Sequence, residues 1–366
     1  MEPMSAPQAP PFCPNPACRF HTCDRPHWRF QRDGVHSRRC PPRVVQRYRC
    51  SHCRRSFSDQ TFRTGYWLRR PDLLRPLFLR LVACSAFRQI AREFEVAPST
   101  VTRLAARLGR HCLLFHERHR PHGPLREPLV LDGFISFEYS QYHPTAFHLL
   151  AGRGSHFFYG FTDSELRRSG TLTPRQRERR RLLETRLGRP DPRAVEHEVA
   201  TLLRIVAPEP QRLTLHSDRH TDYPRALRRV PHLGVTHLPL SSRAARTPQN
   251  PLFAVNLLDL LIRHSGANHK RETIAFSKRR QSAAERMAVL MVWRNYLKWV
   301  SERRHADTPA MRLGAASRRW KVGEVLAARL FPTRVRLPQR WAQYYRRAVV
   351  TRAIPGGTGH RLRYAG

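Results

Sequence analysis

The chain has 366 residues, with 67 Lys or Arg against 27 Asp or Glu, for a formal net charge of +40. Two or three small domains fit this length, each with its own core, and a hydrophobic content of 40% in periodic runs excludes a disordered basic tail. The longest uncharged apolar stretch in a helical pattern, Met287 to Trp293, is far short of the ~20 residues that span a bilayer, so no membrane partner is expected.

The N-terminus shows neither a basic n-region nor an apolar h-region, so secretion is not expected. The excess charge calls for a polyanion, most naturally nucleic acid. Acids concentrate in the middle of the chain, where residues 126–300 hold 16 of the 27.

Six of the eight cysteines fall within the first 53 residues. Cys50 and Cys53 are separated by two residues and Cys13 and Cys18 by four, spacings at which two tight turns can present four thiolates to one zinc ion. The stretch Gln46 to Cys50, followed by Arg55-Ser56-Phe57, predicts strand, metal turn and strand over residues 12–66, a zinc ribbon. A secreted disulfide framework fits poorly with so large a remaining chain. Cys23, Cys40 and His21 are spare donors that could replace one of the four, while Cys84 and Cys112 read as buried thiols. Residues 1–11 are expected to be disordered.

A helical region opens at Pro71 and runs from Asp72 to Cys84. Ile90, Ala91, Phe94, Val96, Val101 and Leu104 then bury one side of two helices joined by a short turn, with Ser99 as the expected N-cap of the second. This helix-turn-helix, within residues 67–120, offers Thr100, Thr102, Arg103 and Arg107 outward for phosphates and base edges of double-stranded DNA. Pro121-His122-Gly123-Pro124 reads as a linker.

Beyond the linker, Pro128 to Phe134 predicts a short buried strand carrying Asp132. Thr145–Ala151 and Phe157–Phe161 extend it into an antiparallel meander. Residues 174 to about 206 are helical with a break at 188–192, and their arginine-rich opening reads as a solvated face. Arg212 to Asp218 is again a strand ending in Asp, with His216 two residues before that Asp. A short helix (Tyr223–Arg229), a strand near Val235–Leu238 and a helix from Pro251 follow. If the first and fourth strands are neighbours, Asp132 and Asp218 stand side by side, where two hard divalent ions can be shared by carboxylates. A last helix, Ala283 to about Val300, carries Trp293, Tyr296 and Trp299, aromatics expected in a core. The end of the chain (Arg334–Arg347, then Gly356-Gly357) reads as a basic extension that tracks phosphates.

The ordered set of Cys13–Cys18, Arg47 to Phe57, Arg88-Gln89-Ile90-Ala91 to Thr100-Val101, Leu131-Asp132-Gly133, His216-Ser217-Asp218 and Arg271 to Ser277 resembles bacterial insertion-sequence transposases of the DDE kind, over residues 12 to about 300. The resemblance implies a multi-domain protein: a zinc ribbon, a helix-turn-helix domain, an α/β RNase H-like catalytic domain (125–300) and a helical, basic C-terminal extension (301–366). It also implies structural Zn²⁺, two catalytic Mg²⁺, DNA partners (terminal inverted repeats and target), a homo-oligomer on DNA, and a place in the bacterial cytoplasm with the nucleoid.

Asp132 and Asp218 would be the first two metal ligands. The third departs from the family pattern, in which a helix carries Glu followed seven residues later by Arg. Reading back from Arg271 through Arg263 reaches Asn256, a neutral amide. Asp259, one turn on, shares its face and is the expected third acid, with Glu272 and Glu285 as more remote candidates. The alternative implied function is a transposase-derived DNA-binding protein that no longer cuts.

Overall fold

The computed structural model describes residues 9–22, 27–241, 243–354 and 356. Cys23, Gly357 and residues 1–8 of the expected disordered segment lie outside the described residues. Within that segment Pro10 is buried and the Ala9 carbonyl accepts a hydrogen bond from Arg329 at 2.9 Å, so residues 9–10 are fixed by the C-terminal part of the chain.

Two sheets organise the molecule. The first is antiparallel, built from β1 (Phe30–Ser37), β2 (Val44–Cys50) and β3 (Ser56–Ser58), with Tyr48 opposite Phe57. One side of it closes a small aromatic core of Phe12, Trp28, Tyr48, Phe57 and Phe62. Phe331 completes that core from the far end of the chain, its ring 5.4 Å from Phe12 and 5.5 Å from Phe62.

Next come α1 (Leu74–Leu81), α2 (Phe87–Glu93) and α3 (Pro98–His119). The N-cap of α3 is Ala97 and not Ser99. Pro98 presets the first helical φ and lacks the N–H that the first turn would leave orphaned, which decides the start over the serine. The C-terminal half of α3 is buried almost all round.

The second sheet has five strands in the order β6 (Phe158–Glu165), β5 (Pro144–Gly152), β4 (Leu129–Phe137), β7 (Gln211–Ser217) and β8 (Leu233–Pro239). The first three pair antiparallel, and β7 and β8 join parallel. Such parallel entries need crossovers. The first is α4 (Pro174–Leu187) with α5 (Ala194–Val206), the second α6 (Asp222–Arg228). Successive strand residues face opposite sides. Thr162 of β6 donates to the Glu198 carbonyl of α5 at 2.8 Å on one face. Phe134, on the same face of β4 as Asp132, lies under the Arg263 guanidinium of α7 (Phe253–Ser265) on the other.

The chain then forms α8 (Arg280–Val292), a π turn (Trp293–Leu297), and the short helices α9 (Pro309–Arg312), α10 (Val322–Ala327) and α11 (Gln339–Tyr345). Tyr296 is fully buried, as its spacing predicts, while Trp293 and Trp299 are half-buried.

Two expectations change here. One continuous hydrophobic core runs from Leu73 to Val349, across the expected linker at 121–124. Its seam is the packing of α3 on α8, where a side chain on Gly109 would meet the Glu285 carbonyl at 2.6 Å. The C-terminal stretch is likewise no free arm. Trp341 is fully buried and donates to the Phe161 carbonyl at 3.0 Å. Arg340 reaches the buried Asp163 carboxylate at 2.9 Å, Arg347 holds Glu285 at 2.8 Å, and Tyr344 donates to Asp163. Basic residues that composition assigns to phosphates are therefore spent on internal carboxylates.

No helix among the described residues is long and apolar enough to cross a membrane.

Gly109→Ala places a methyl against backbone that cannot swing away. It is expected to destabilise the chain by about 1–3 kcal/mol in urea unfolding, as overpacked cores do; an unchanged midpoint would show that α3 and α8 can separate.

Candidate functional site

The first site is sulfur. Cys13 and Cys18 flank the loop before the short 3-10 turn Arg19–His21, Cys50 ends β2, and Cys53 lies in the turn that follows. Their four Sγ atoms all lie within 4.8 Å of one another, and Cys13 and Cys53 are 3.6 Å apart. Among the described residues this is the one group of three or more ligand-type side chains so closely gathered. Four thiols at this separation suit a structural metal such as zinc, which takes thiolates tetrahedrally at ~2.3 Å.

Trp28 Nε1–H donates to Cys50 Sγ at 3.2 Å. Against the upward push of burial, this bond and the Cys53 and His52 amides bring Cys50 down to about 7, whereas burial raises Cys13 and Cys18. The spare donors are used otherwise. His21 bridges the Cys13 carbonyl (2.8 Å) and Thr333 Oγ1 (2.7 Å), and Cys40 Sγ accepts from Arg38 at 3.0 Å.

The second site is carboxylate. In the parallel pairing of β4 with β7, Leu129 stands opposite Leu215, Val130 opposite His216 and Leu131 opposite Ser217. Asp132 and Asp218 are the next residues on strands ~4.8 Å apart, and so leave the pair side by side. Asp132 accepts from the Gly133 amide at 2.7 Å and Asp218 from the His220 amide at 3.0 Å. Asp259 comes from α7, which packs over β4 and β5.

Electrostatics link Asp132 with each of the other two acids, while the ligand atoms of the three do not gather within 4.8 Å of one another. Burial, then the negative charge of Asp132, push Asp259 up to about 7, with Arg263 and Arg246 opposing. Burial also raises Asp132, with Asp218 adding to the rise and Gly133, Arg246 and His220 opposing it. The Tyr223 phenol is pushed up by burial and then by the charges of Asp132, Asp218, Asp259 and Asp222, and its hydroxyl lies 3.5 Å from where a side chain on Gly133 would begin. Asp259 Oδ1 is buried without a hydrogen-bond partner. Like-charged, part-desolvated carboxylates with an unpaired oxygen favour a proton or a cation. The three are more open than the cysteines.

The remaining candidates divide. Asn256 is half-buried on α7, one turn before Asp259. Glu272 is exposed in the loop after α7, and Glu285 is buried in α8 and bound to Arg347 and Gln281, which removes both from the cluster. His216 is a packed strand histidine, 5% exposed.

On the helix-turn-helix, Arg103 is exposed, while Thr100 and Thr102 are half-buried. Thr102 Oγ1 donates within its helix to the Pro98 carbonyl at 3.0 Å. Arg107 is not offered outward. Its Nη1 donates to the Thr64 and Tyr66 carbonyls, both at 2.9 Å, anchoring the segment before α1.

Sequence reasoning missed Tyr223 and Arg246, and used Arg263 only to align the family pattern. Arg263 carries a readable signal, four residues after Asp259 on one helix face; Arg246, in an irregular loop, carries none. No protein-family model matches this chain, and no curated protein matches it at a significant level.

Protein purified without chelator is expected to carry about one zinc per chain by atomic emission, as a four-thiolate site holds. Cys50→Ser should abolish that stoichiometry; retention of full zinc would show that these thiols are not the ligands.

Proposed function

We propose that this protein is a DNA transposase of the insertion-sequence kind, whose five-stranded sheet is an RNase H-like catalytic core. The single observation that carries the reading is the parallel β4–β7 register, which sets Asp132 beside Asp218. The strand order β6-β5-β4-β7-β8, three antiparallel strands and two parallel, supports it, as does Asp259 on a helix packed over the same sheet.

In this reading Asp132, Asp218 and Asp259 hold two Mg²⁺, with the Asn256 amide oxygen as a neutral neighbour. Such ions, when bound, lower the pKa of an attacking water or 3′-hydroxyl and neutralise charge on the leaving oxygen. Tyr223, whose phenol is raised, stays protonated and offers a donor at the cluster's edge. Arg246 and Arg263 offset the carboxylate charge until substrate and cations arrive. Water cleaves one phosphodiester, and the freed 3′-hydroxyl then attacks a target phosphodiester, displacing its 3′-oxygen.

The thiol-bound metal fixes the N-terminal sheet. Arg103 and Thr100 meet the terminal repeats of duplex DNA, and Thr102 joins them from the same turn. Handling two element ends at once calls for a homo-oligomer on DNA, in the bacterial cytoplasm beside the nucleoid.

Asn256 favours a second reading. An amide where the family pattern expects an acid supplies no charge, and a protein that binds element ends without cutting them would tolerate it. Nicking separates the two. With Mg²⁺ or Mn²⁺ and DNA spanning the boundaries of its own gene, the intact protein is expected to nick one strand at each end. Asp132→Asn and Asp218→Asn should each lower the rate by on the order of 10³-fold. Binding without any nicking by the intact protein would leave the second reading standing.

A further inference from the structure

Between the helix-turn-helix and the segment that follows α7 lies an open groove enclosing about 840 Å³. Its charged lining is of one sign. Arg88 and Arg92 come from α2, Lys270, Lys278 and Arg279 from the loop after α7, and Arg286 from α8, with no Asp or Glu among the lining residues. Arg88, Arg92, Lys270 and Lys278 are exposed.

Arg286 lies at the base. It is 7% exposed, its guanidinium covers the Phe87 ring at 4.9 Å, and Nη2 reaches the Ser85 carbonyl at 3.3 Å. Its Nε has no hydrogen-bond partner, and no ion pair to a carboxylate forms among the described residues. Arg110 of α3 and Arg294 after α8 are as buried and likewise form no ion pair among the described residues, whereas the partly buried arginines around α8 are neutralised. Arg280 pairs Asp163 and Arg347 pairs Glu285. A buried guanidinium without a counter-ion costs folding free energy unless an anion completes it, and guanidinium matches phosphate oxygens in a planar fork.

We infer that this groove seats a sugar–phosphate backbone of duplex DNA, running from the helix-turn-helix to the loop that leaves the Asp259 helix. This rests on the DNA-binding reading above and adds a second surface to it. Gln89 and Thr102, from the two helices of that motif, line the same groove, so DNA met by α3 lies against Lys270 and Lys278 within one chain. Ile274, 97% exposed on the lining of the same groove, is an apolar wedge for the minor groove or an opened base step. One strand's backbone fills the groove while the rest of the duplex stays outside.

The test is fluorescence anisotropy of the full-length protein on a mixed-sequence DNA duplex across a KCl series. K270A/K278A removes two exposed cations, one of them from over the Phe276 ring at 3.9 Å, and its thermal melt is expected to match wild type. It is expected to weaken binding several-fold on every sequence tried and to flatten the slope of log K against log salt by about two, one per phosphate contact. R286Q should flatten it by about one more, provided its thermal melt matches wild type. Arg103→Ala should instead lose affinity chiefly for element-end sequence. An unchanged slope in K270A/K278A, with wild type binding DNA, overturns the groove and leaves the function reading intact. Wild type that binds no duplex overturns both, and a loss confined to an RNA competitor overturns the choice of DNA.

Discussion

The arrangement depends on one strand pairing. β4 and β7 are separated by the 73 residues between Phe137 and Gln211, and only their parallel register brings Asp132, within β4, beside Asp218, just past the end of β7. A slip of one residue would turn one carboxylate to the opposite face of the sheet. The register is held by burial. Leu129, Val130, Leu131 and Leu215 are completely covered, with the crossover helices on one face of the sheet and α7 on the other. The same burial makes the acids uncomfortable, since desolvation is the largest influence on both Asp132 and Asp259. Under the proposed function, bound cations would offset the charge of these acids.

The positive charge serves two purposes that composition cannot separate. Part of it is structural. Arg340 and Arg280 close on Asp163 at the centre of the fold, Arg352 pairs Glu165, and Arg120 pairs Glu117 with both side chains buried. Arg340 and Arg352 tie the C-terminal stretch to β6, and Arg120 lies over the Trp341 ring at 5.8 Å, so that stretch completes the core instead of trailing from it. Phe331 and Thr333 do the same at the cysteine end. The metal turn, the helix-turn-helix and the large sheet are thereby braced by one C-terminal strap. The rest of the charge lies on surfaces and in the groove between α2 and the loop after α7.

Much of this was legible in the sequence because local patterns suffice for it. The Cys13–Cys18 and Cys50–Cys53 spacings name the four thiols that meet. The alternation around Leu131 and Leu215 predicts the strands. What was hidden was long-range. Nothing local to Arg107 reveals that the Thr64 and Tyr66 carbonyls capture it. Trp341, buried against Gly160, looks in sequence like one aromatic in a basic tail. The start of α3 was misplaced because a proline at its first position outweighed a good capping serine.

The central claim is that Asp132 of β4 and Asp218 after β7, with Asp259 of α7, form one divalent-cation site. Electron paramagnetic resonance of Mn²⁺ titrated into the zinc-loaded, full-length protein tests it without DNA or turnover. The account predicts saturable loss of the free-ion signal, largely abolished in the Asp132→Asn, Asp218→Asn double variant with its fold and zinc content unchanged. Mn²⁺ binding equal in wild type and the double variant, or none in either, would contradict it.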